Sequence, residues 1–492
     1  MTGGGLTART AYVLVFAASA AVLVVELVAL RLLAPYLGLT LEMNTLVIGI
    51  VLAAIAVGSW VGGTLADQVD PRRMLGPLLL GSGLAIAATP AFIRWIAPIN
   101  DGSLVILGAM VTLFIPGALL SAVSPTIAKL RLSTIDETGT VVGHLSGVGT
   151  AGAIFGTVLT GFVLVSVVRV STILVALGVL LVLASVLMEL RTRGWRAASG
   201  PAVLLLVVGL GAAVAPGGCD VETRYHCASV QADDTREGGR VLVLDRLRHS
   251  YVDLDDPRHL EFMYVRAVVS AIDATFPASS PLRAYHLGGG ALTVPRYLQA
   301  VRPGTESLVS EIDPGVVEIS RDELGLRTSA DVRVRVEDGR LGLERLATDS
   351  RDLVVGDAFG GVSVPWHLTT IEAMAEVRRV LTDDGAYVAN LIDHEPFGFA
   401  RAEVATLQRV FDHVVLAAEP QTFTGGGGGG NLVVVASDAP FDADALRTEL
   451  AGRSVAWEVA TGAVLDRWRG DVRVLTDQFA PVDQLLTPYG SA

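Results

Sequence analysis

Cysteine, charge and metal-ligand clusters are all scarce in this chain. With 2 Cys in 492 residues, a disulfide-dense secreted scaffold is excluded. Only 18% of the residues are charged and the mean hydropathy is +0.54, which is too apolar for an ordinary soluble protein. The net charge of −13 argues against a nucleic-acid partner. No Cys/His cluster has metal-ligand spacing, so no metal is expected.

The apolar residues are concentrated in the first half of the chain. Residues 1–216 contain 11 basic and 8 acidic groups, whereas the remaining 276 residues contain 26 basic and 42 acidic groups. A membrane-spanning helix needs about 20 apolar residues. The pattern predicts a lipid-embedded helical domain with about seven spans, near 11–31, 43–65, 74–99, 103–122, 141–166, 168–190 and 201–216. The pairs Gly58/Gly62 and Gly152/Gly156 would let such helices pack closely.

The distribution of basic residues predicts an orientation. With a cytoplasmic N-terminus, eight basic residues fall in inner segments and three, Arg31, Arg94 and Arg169, fall outside. We therefore expect a multi-pass membrane protein with its N-terminus in the cytoplasm. Seven spans would place the soluble domain outside the cytoplasm, and six would place it inside, so segment 201–216 decides the compartment.

Cys219 and Cys227 follow the last apolar stretch, eight positions apart. In an oxidising compartment they could form one disulfide, whereas in the cytoplasm they would be two reduced thiols. The sequence leaves both alternatives open.

The remainder of the chain alternates strand and helix patterns. Residues 217–275 read as a small β-hairpin subdomain with a linking helix, and residues 276–492 read as a doubly wound, Rossmann-like α/β domain. The segments HVVLAA and NLVVVAS would close its sheet as an antiparallel pair.

Ligands of doubly wound sheets bind beyond the carboxyl ends of the strands, and glycines and acids occupy these places here. A glycine turn follows the first strand, and Glu311 ends the second. Glu311 could accept the ribose hydroxyls of a nucleoside. Asp338, followed by Gly339, could accept from an adenine amino group, and Asp357 would face the reacting end. The alternative is that Glu311 and Asp338 only cap helices. The predicted nucleoside-binding residues are Gly288, Gly289, Gly290, Glu311, Asp338 and Gly339.

Histidines supply further candidates for acid–base chemistry. His249 and Asp357 could meet across the pocket mouth as a catalytic pair. His367, in VPWHLTT, and His394, in LIDHEP, also lie near strand ends. Taken singly, each histidine is better explained by a structural role.

Residues 222–437 resemble the spermidine synthases, which are polyamine aminopropyltransferases with a methyltransferase-type fold. The resemblance rests on several motifs, namely RVLVLDRLRHSYVDLDDPRHLEF, HLGGGALTVPRYL, VSEIDPGVVEIS, VEDGR and DAFGGVSVPWHLTTIEAMAEVRRVLTDDGAYVANLID. The helical N-terminal part resembles the membrane-fused bacterial branch of the family. The resemblance implies a transferase that binds S-adenosylmethionine or its decarboxylated form, with a role in polyamine biosynthesis.

The chain departs from the family pattern at positions that hold the donor nucleoside, steer its aminopropyl arm and deprotonate the amine. The Asp that follows the family's glycine motif is Ala291 here, and the hairpin Gln corresponds to His249. The family's Asp-x-x-Asp loop is Asp357-Ala358-Phe359-Gly360, without the second acid.

Three interpretations follow. The first is a membrane-anchored alkyl transferase that acts on a small-molecule or lipid-linked acceptor. The second is a methyltransferase, because methyl transfer depends mainly on positioning. The third is an extracytoplasmic, donor-independent or transporter-linked protein with a repurposed pocket. The lipid bilayer is an expected partner in each, and the oligomeric state, including a homo-oligomer, is left open.

Overall fold

The computed structural model describes residues 7–37, 41–96, 102–132, 138–192, 203–204, 220–245, 247–361, 363–425 and 428–487. The chain forms two units, Met1–Cys227 and Ala228–Ala492. The first unit is helical, and the second contains a large mixed sheet flanked by helices.

Most helices of the first unit are long and apolar. They are α1 Ala8–Leu37, α2 Leu41–Gln68, α3 Pro71–Ile96, α4 Gly102–Ser121, α5 Val123–Arg131, α6 Thr138–Leu159 and α7 Val170–Thr192. A π-helical turn, Thr160–Leu164, extends α6, and the two-residue strand β1, Val221–Glu222, follows near the end of the unit.

Helices occupy six of the predicted spans within the described residues. Six helical stretches there are long and apolar enough to cross a membrane, and they mark the chain as a membrane protein: Ala8–Leu33, Asn44–Gln68, Pro71–Ile96, Ile106–Arg131, Thr138–Leu164 and Val170–Arg191. The seventh, 201–216, lies outside the described residues except for 203–204. Cys219 also lies outside them, so its pairing with Cys227 stays a prediction.

Glycines bring helices of this unit into backbone contact. A Cβ atom on Gly152 would overlap the Phe16 carbonyl oxygen, and one on Gly156 would lie 2.5 Å from the Ala20 carbonyl oxygen. Helices α1 and α6 therefore pack along a surface where glycine lets two backbones touch. In the same helix, a Cβ on Gly147 would point into open space.

The second unit contains two sheets. Strands β2 Cys227–Ala232, β3 Gly239–Leu244 and β4 Leu247–Asp253 pair antiparallel in chain order. The large sheet has the order β12-β10-β11-β9-β8-β5-β6-β7. Its strands are β5 Arg283–Leu287, β6 Glu306–Glu311, β7 Val332–Val336, β8 Arg351–Gly356, β9 Leu381–His394, β10 His413–Ala418, β11 Gly429–Ser437 and β12 Glu458–Thr461.

Helices alternate with the strands of the large sheet. They are α8 Met263–Thr275, α9 Thr293–Val301, α10 Pro314–Asp322, α11 Gly339–Glu344, α12 Ile371–Val380, α13 Gly398–Leu407, α14 Pro420–Thr424, α15 Ala443–Gly452, α16 Gly462–Arg469 and α17 Val482–Leu485. Strands β5 to β9 run parallel, whereas β10 pairs antiparallel with β11, as the sequence predicted. The doubly wound, methyltransferase-type fold is thereby confirmed.

The strand order reverses beside β5, which positions the site. From β5 the chain proceeds outward through β6 and β7, and then returns to add β8 on the other side of β5. A crevice opens at such a reversal, at the carboxyl ends of the two strands. The glycine turn follows β5 and Asp357 follows β8, so both lie at this reversal.

We expect Gly152→Ala to destabilise the first unit by about 1–3 kcal/mol, because the added methyl group overpacks the contact between α1 and α6. Gly147→Ala is the matched control, since it adds the same methyl group where there is space. The measurement is the fraction of monodisperse full-length protein that survives heating in detergent. Equal losses for the two variants would show that the close packing does not stabilise this unit.

Candidate functional site

The turn after β5 requires glycine for both conformation and space. Gly288 and Gly290 have φ angles of +90° and +48°, in the left-handed region that glycine tolerates. A Cβ on Gly288 would overlap the Asp357 carbonyl oxygen, and one on Gly290 would lie 2.5 Å from Ser250 Oγ. The turn is thus held between the end of β8 and strand β4.

Glu311, at the end of β6, binds the backbone of this turn. Its Oε2 accepts hydrogen bonds from the N–H groups of Gly289 (2.9 Å) and Gly290 (3.3 Å), and its Oε1 accepts from Asp313 N–H (2.9 Å). Desolvation raises the pKa of the Glu311 carboxyl, although these three hydrogen bonds favour its charged form. Asp313 caps α10, so Glu311 joins the glycine turn to the following loop.

Asp338 caps a helix and also contacts a histidine side chain. One carboxylate oxygen accepts from Leu341 N–H (3.0 Å) at the start of α11, and the other lies 2.9 Å from His367 Nε2. Gly339 lies tightly against β5, since a Cβ there would be 2.8 Å from Leu287 Cδ2. Asp338 therefore caps α11, as the structural alternative predicted. Its second oxygen is held by His367, which comes from another segment.

Asp357 lies at the end of β8 within a network of polar side chains. Asn390 Nδ2 donates to Asp357 Oδ1 (3.0 Å), and Asn431 Nδ2 donates to Asn390 Oδ1 (2.9 Å). Tyr264 donates its hydroxyl to Asp357 Oδ2 at the long distance of 3.5 Å. Desolvation raises the pKa of Asp357 to about 6, against the opposing effect of the Asn390 and Tyr264 hydrogen bonds.

A small cavity of about 30 Å³ lies between Asp357 and the glycine turn. That is enough space for one or two water molecules. No Lys or Arg lines it among the described residues, and His286 is neutral because burial lowers its pKa to about 3. The described lining residues are His249, Ser250, Tyr264, Val265, His286, Gly288, Gly289, Gly290, Thr293, Val294, Pro295, Val355 and Asp357.

His249 and Asp357 line the same cavity. Tyr264 stands close to both, because its hydroxyl is 3.4 Å from the His249 carbonyl oxygen and 3.5 Å from Asp357 Oδ2. The His249 ring is 3.4 Å from Ser250 Oγ. The structure therefore collects the three glycines, His249 and Asp357 around one cavity, and Glu311 contacts the same turn.

The other two histidines have structural contacts. His367 pairs with Asp338, and its carbonyl oxygen accepts from Arg340 (3.1 Å), which also pairs with Asp477. His394 Nδ1 lies 3.0 Å from the Thr487 carbonyl oxygen. His394 thus serves the packing of the C-terminal segment.

Three residues of the Asp357 network were not singled out in the sequence. Asn390 and Asn431 interrupt the apolar strand sequences AYVANLI and NLVVVAS, and Tyr264 lies on the apolar helix α8. A buried amide inside a central strand needs a hydrogen-bond partner. An asparagine within an apolar strand sequence was therefore the feature that could have pointed to this network.

No family model matches the chain. It is 28% identical over 273 residues to a protein named polyamine aminopropyltransferase from Vibrio vulnificus (strain CMCP6), which covers 53% of this chain and 85% of the relative. A polyamine aminopropyltransferase from Pyrobaculum calidifontis is 34% identical over 167 residues, which are 32% of this chain and 54% of the relative.

A crystal structure of a probable spermidine synthase from Corynebacterium glutamicum ATCC 13032 matches with a TM-score of 0.50 and 30% identity. The match covers 52% of this chain and 95% of that one. The chain belongs to the spermidine synthase-like family. This confirms the resemblance and the methyltransferase-type fold inferred from the sequence motifs.

We expect Asn390→Leu to raise the pKa of Asp357 further, because the Asn390 amide favours the ionised carboxylate. Asn431→Leu should raise it less, since the direct donor to Asp357 stays in place. The pKa can be read from the carboxyl band in infrared spectra taken across the pH range and assigned with Asp357→Asn. A lower pKa in Asn390→Leu would contradict the proposed origin of the shift.

Proposed function

We propose that the second unit binds an S-adenosyl-type sulfonium donor and transfers one of its alkyl groups to a nucleophilic acceptor. The observation that carries this proposal is the charge of the site. Carboxylates end three successive strands or follow them directly, and the cavity at Asp357 has no Lys or Arg among its described lining residues. A cationic ligand is attracted to such a site, whereas an anionic ligand is repelled.

The glycine turn and Glu311 suit the nucleoside part of such a donor. The missing Cβ atoms let a ligand approach the backbone at Gly288–Gly290. Glu311 Oε2 accepts two backbone hydrogen bonds and Oε1 accepts one, so Oε1 keeps a second lone pair for a ribose hydroxyl. Asp338 and Gly339 would bind at the base end.

When bound, the donor supplies a carbon atom activated by a positively charged sulfur. The acceptor nitrogen or oxygen forms the new bond to this carbon, and the carbon–sulfur bond breaks with its electron pair going to sulfur. Asp357 accepts the proton that the acceptor loses. Tyr264 and Asn390 hold the Asp357 carboxylate in place for this step.

The site has fewer acidic side chains for binding an acceptor than a diamine-binding pocket of the family pattern. Ala291 and Gly360 stand where the family pattern has acids, so Asp357 is the acid that this region retains. We infer that the acceptor is a small-molecule or lipid-linked nucleophile with a single reacting group. The transferred group can be identified with two preparations of the donor, one labelled on the methyl carbon and one on the propylamine carbons. The label that appears on the acceptor distinguishes methyl transfer from aminopropyl transfer.

Glu311→Gln should weaken the binding of S-adenosylmethionine and of S-adenosylhomocysteine by at least tenfold, because the charged acceptor for the ribose hydroxyls is lost. The amide oxygen can still accept from the glycine turn, so the fold should survive. The control is Glu306→Gln, which changes an exposed carboxylate at the start of the same strand. Calorimetry on the full-length protein gives the affinities, and unchanged binding by Glu311→Gln would refute the nucleoside site.

Transfer should accelerate as the pH rises through about 6, because Asp357 accepts a proton only in its ionised form. Asp357→Asn should reduce turnover by at least a hundredfold with a smaller effect on donor affinity. Asp384→Asn, an exposed change on β9, is the control. Turnover of labelled donor against pH is the measurement, and a fully active Asp357→Asn enzyme would exclude Asp357 as the base.

A further inference from the structure

Glu222 is bound at one end of the helices of the first unit. Its Oε1 accepts from Arg94 Nη2 (2.5 Å), in the last turn of α3, and its Oε2 accepts from the N–H group of Ser171 (3.3 Å), in the first turn of α7. Arg94 also donates to Ser171 Oγ (2.7 Å). The side chains of Arg94 and Glu222 are only 19% and 16% exposed, so water screens this ion pair weakly.

Arg31, in the second half of α1, makes two further contacts with the same segment. Its guanidinium donates to the carbonyl oxygen of Arg224, and its carbon Cζ lies 5.4 Å from the centre of the Tyr225 ring. Residues 222–225 are thus held by the late part of α1, the end of α3 and the beginning of α7.

The two helices that bind Glu222 run antiparallel along their lengths. Arg94 meets Ser171, Gly83 meets Gly178, and the Gly76 carbonyl oxygen accepts from Ser185 Oγ (2.7 Å). Later residues of α7 therefore contact earlier residues of α3. The end of α7 lies at the opposite end of the helix pair from Glu222.

The distance between these two ends matches the thickness of a membrane. Ser171 and Arg191 are twenty helical residues apart on α7. At a rise of about 1.5 Å per residue this is about 30 Å, which is the thickness of the hydrocarbon core. The chain leaves α7 at one end of this length and makes the Glu222 contacts at the other.

We propose that the chain crosses the membrane once more between Thr192 and Asp220, so that its N-terminus and its second unit face opposite compartments. The stretch 201–216, PAVLLLVVGLGAAVAP, contains no charged residue and supplies the apolar sequence for this crossing. This inference rests on the contacts of Arg31, Arg94 and Ser171 and is independent of the proposed transfer activity.

The basic residues assign the two compartments. Described residues on the N-terminal side include Arg9, Arg72, Arg73, Lys129, Arg131 and Arg191, whereas Arg31, Arg94 and Arg169 lie toward the other side. By the positive-inside rule the N-terminus is cytoplasmic and the second unit extracytoplasmic.

Reporters on the two ends of the full-length chain test this inference. One reporter is active only in the cytoplasm and the other only outside, and each is fused in turn to the N-terminus and to the C-terminus. We expect cytoplasmic activity from the N-terminal fusions and external activity from the C-terminal fusions. Activity of both ends in one compartment would overturn the crossing, and opposite ends with the reverse orientation would overturn only the assignment of sides.

A cross-linking pair tests the contact itself, in a full-length background where Cys219 and Cys227 are replaced by Ser. Ser171→Cys combined with Glu222→Cys should form a disulfide under mild oxidation. Arg191→Cys combined with Glu222→Cys is the matched control and should not. Cross-linking of the control pair alone would refute the geometry.

Donor binding to detergent-purified protein does not depend on the compartment. The crossing can therefore fail while the transfer proposal stands, and the reverse also holds.

Discussion

The close contact between the glycine turn and the neighbouring strand ends is the constraint on which the site depends. Without Cβ atoms, Gly288 lies against the Asp357 backbone and Gly290 lies against Ser250. The same turn directs the N–H groups of Gly289 and Gly290 to Glu311. A single loop thereby fixes the relative positions of residues from β4, β6 and β8. Any larger side chain in the loop would separate the proposed nucleoside-binding residues from the proposed base.

Burial sets the electrostatic character of the site. Desolvation raises the pKa of both Glu311 and Asp357, while hydrogen bonds from backbone amides, Asn390 and Tyr264 favour the charged forms. Desolvation also keeps His286 neutral. The result is a carboxyl group at Asp357 whose pKa of about 6 leaves it mostly ionised at neutral pH, next to a histidine that adds no competing positive charge.

Much of the architecture could be predicted because it follows from regular patterns. Apolar runs long enough to cross a bilayer identified six helices, and the strand–helix alternation gave the doubly wound sheet. The rule that ligands bind at strand ends led to Gly288–Gly290 and Asp357, which line one cavity. Asn390, Asn431 and Tyr264 could not be found in this way, because their roles depend on pairing between distant strands and helices. The double role of Asp338, as helix cap and partner of His367, likewise needs a contact between segments 29 residues apart.

The register between β9 and β11 affects the pKa of the Asp357 carboxyl. Asn431 pairs with Ile392 in the ladder, so its side chain lies diagonally across from Asn390 on the same face of the sheet. A slip of one residue would turn Asn431 to the other face and remove the donor behind Asn390. The glycine run 425–430 leads into β11, which begins at Gly429. A change in the length of this run would therefore be transmitted to a carboxyl group two strands away. Variation in the length of this glycine run would in this way shift the pKa of the Asp357 carboxyl without touching any residue of the cavity.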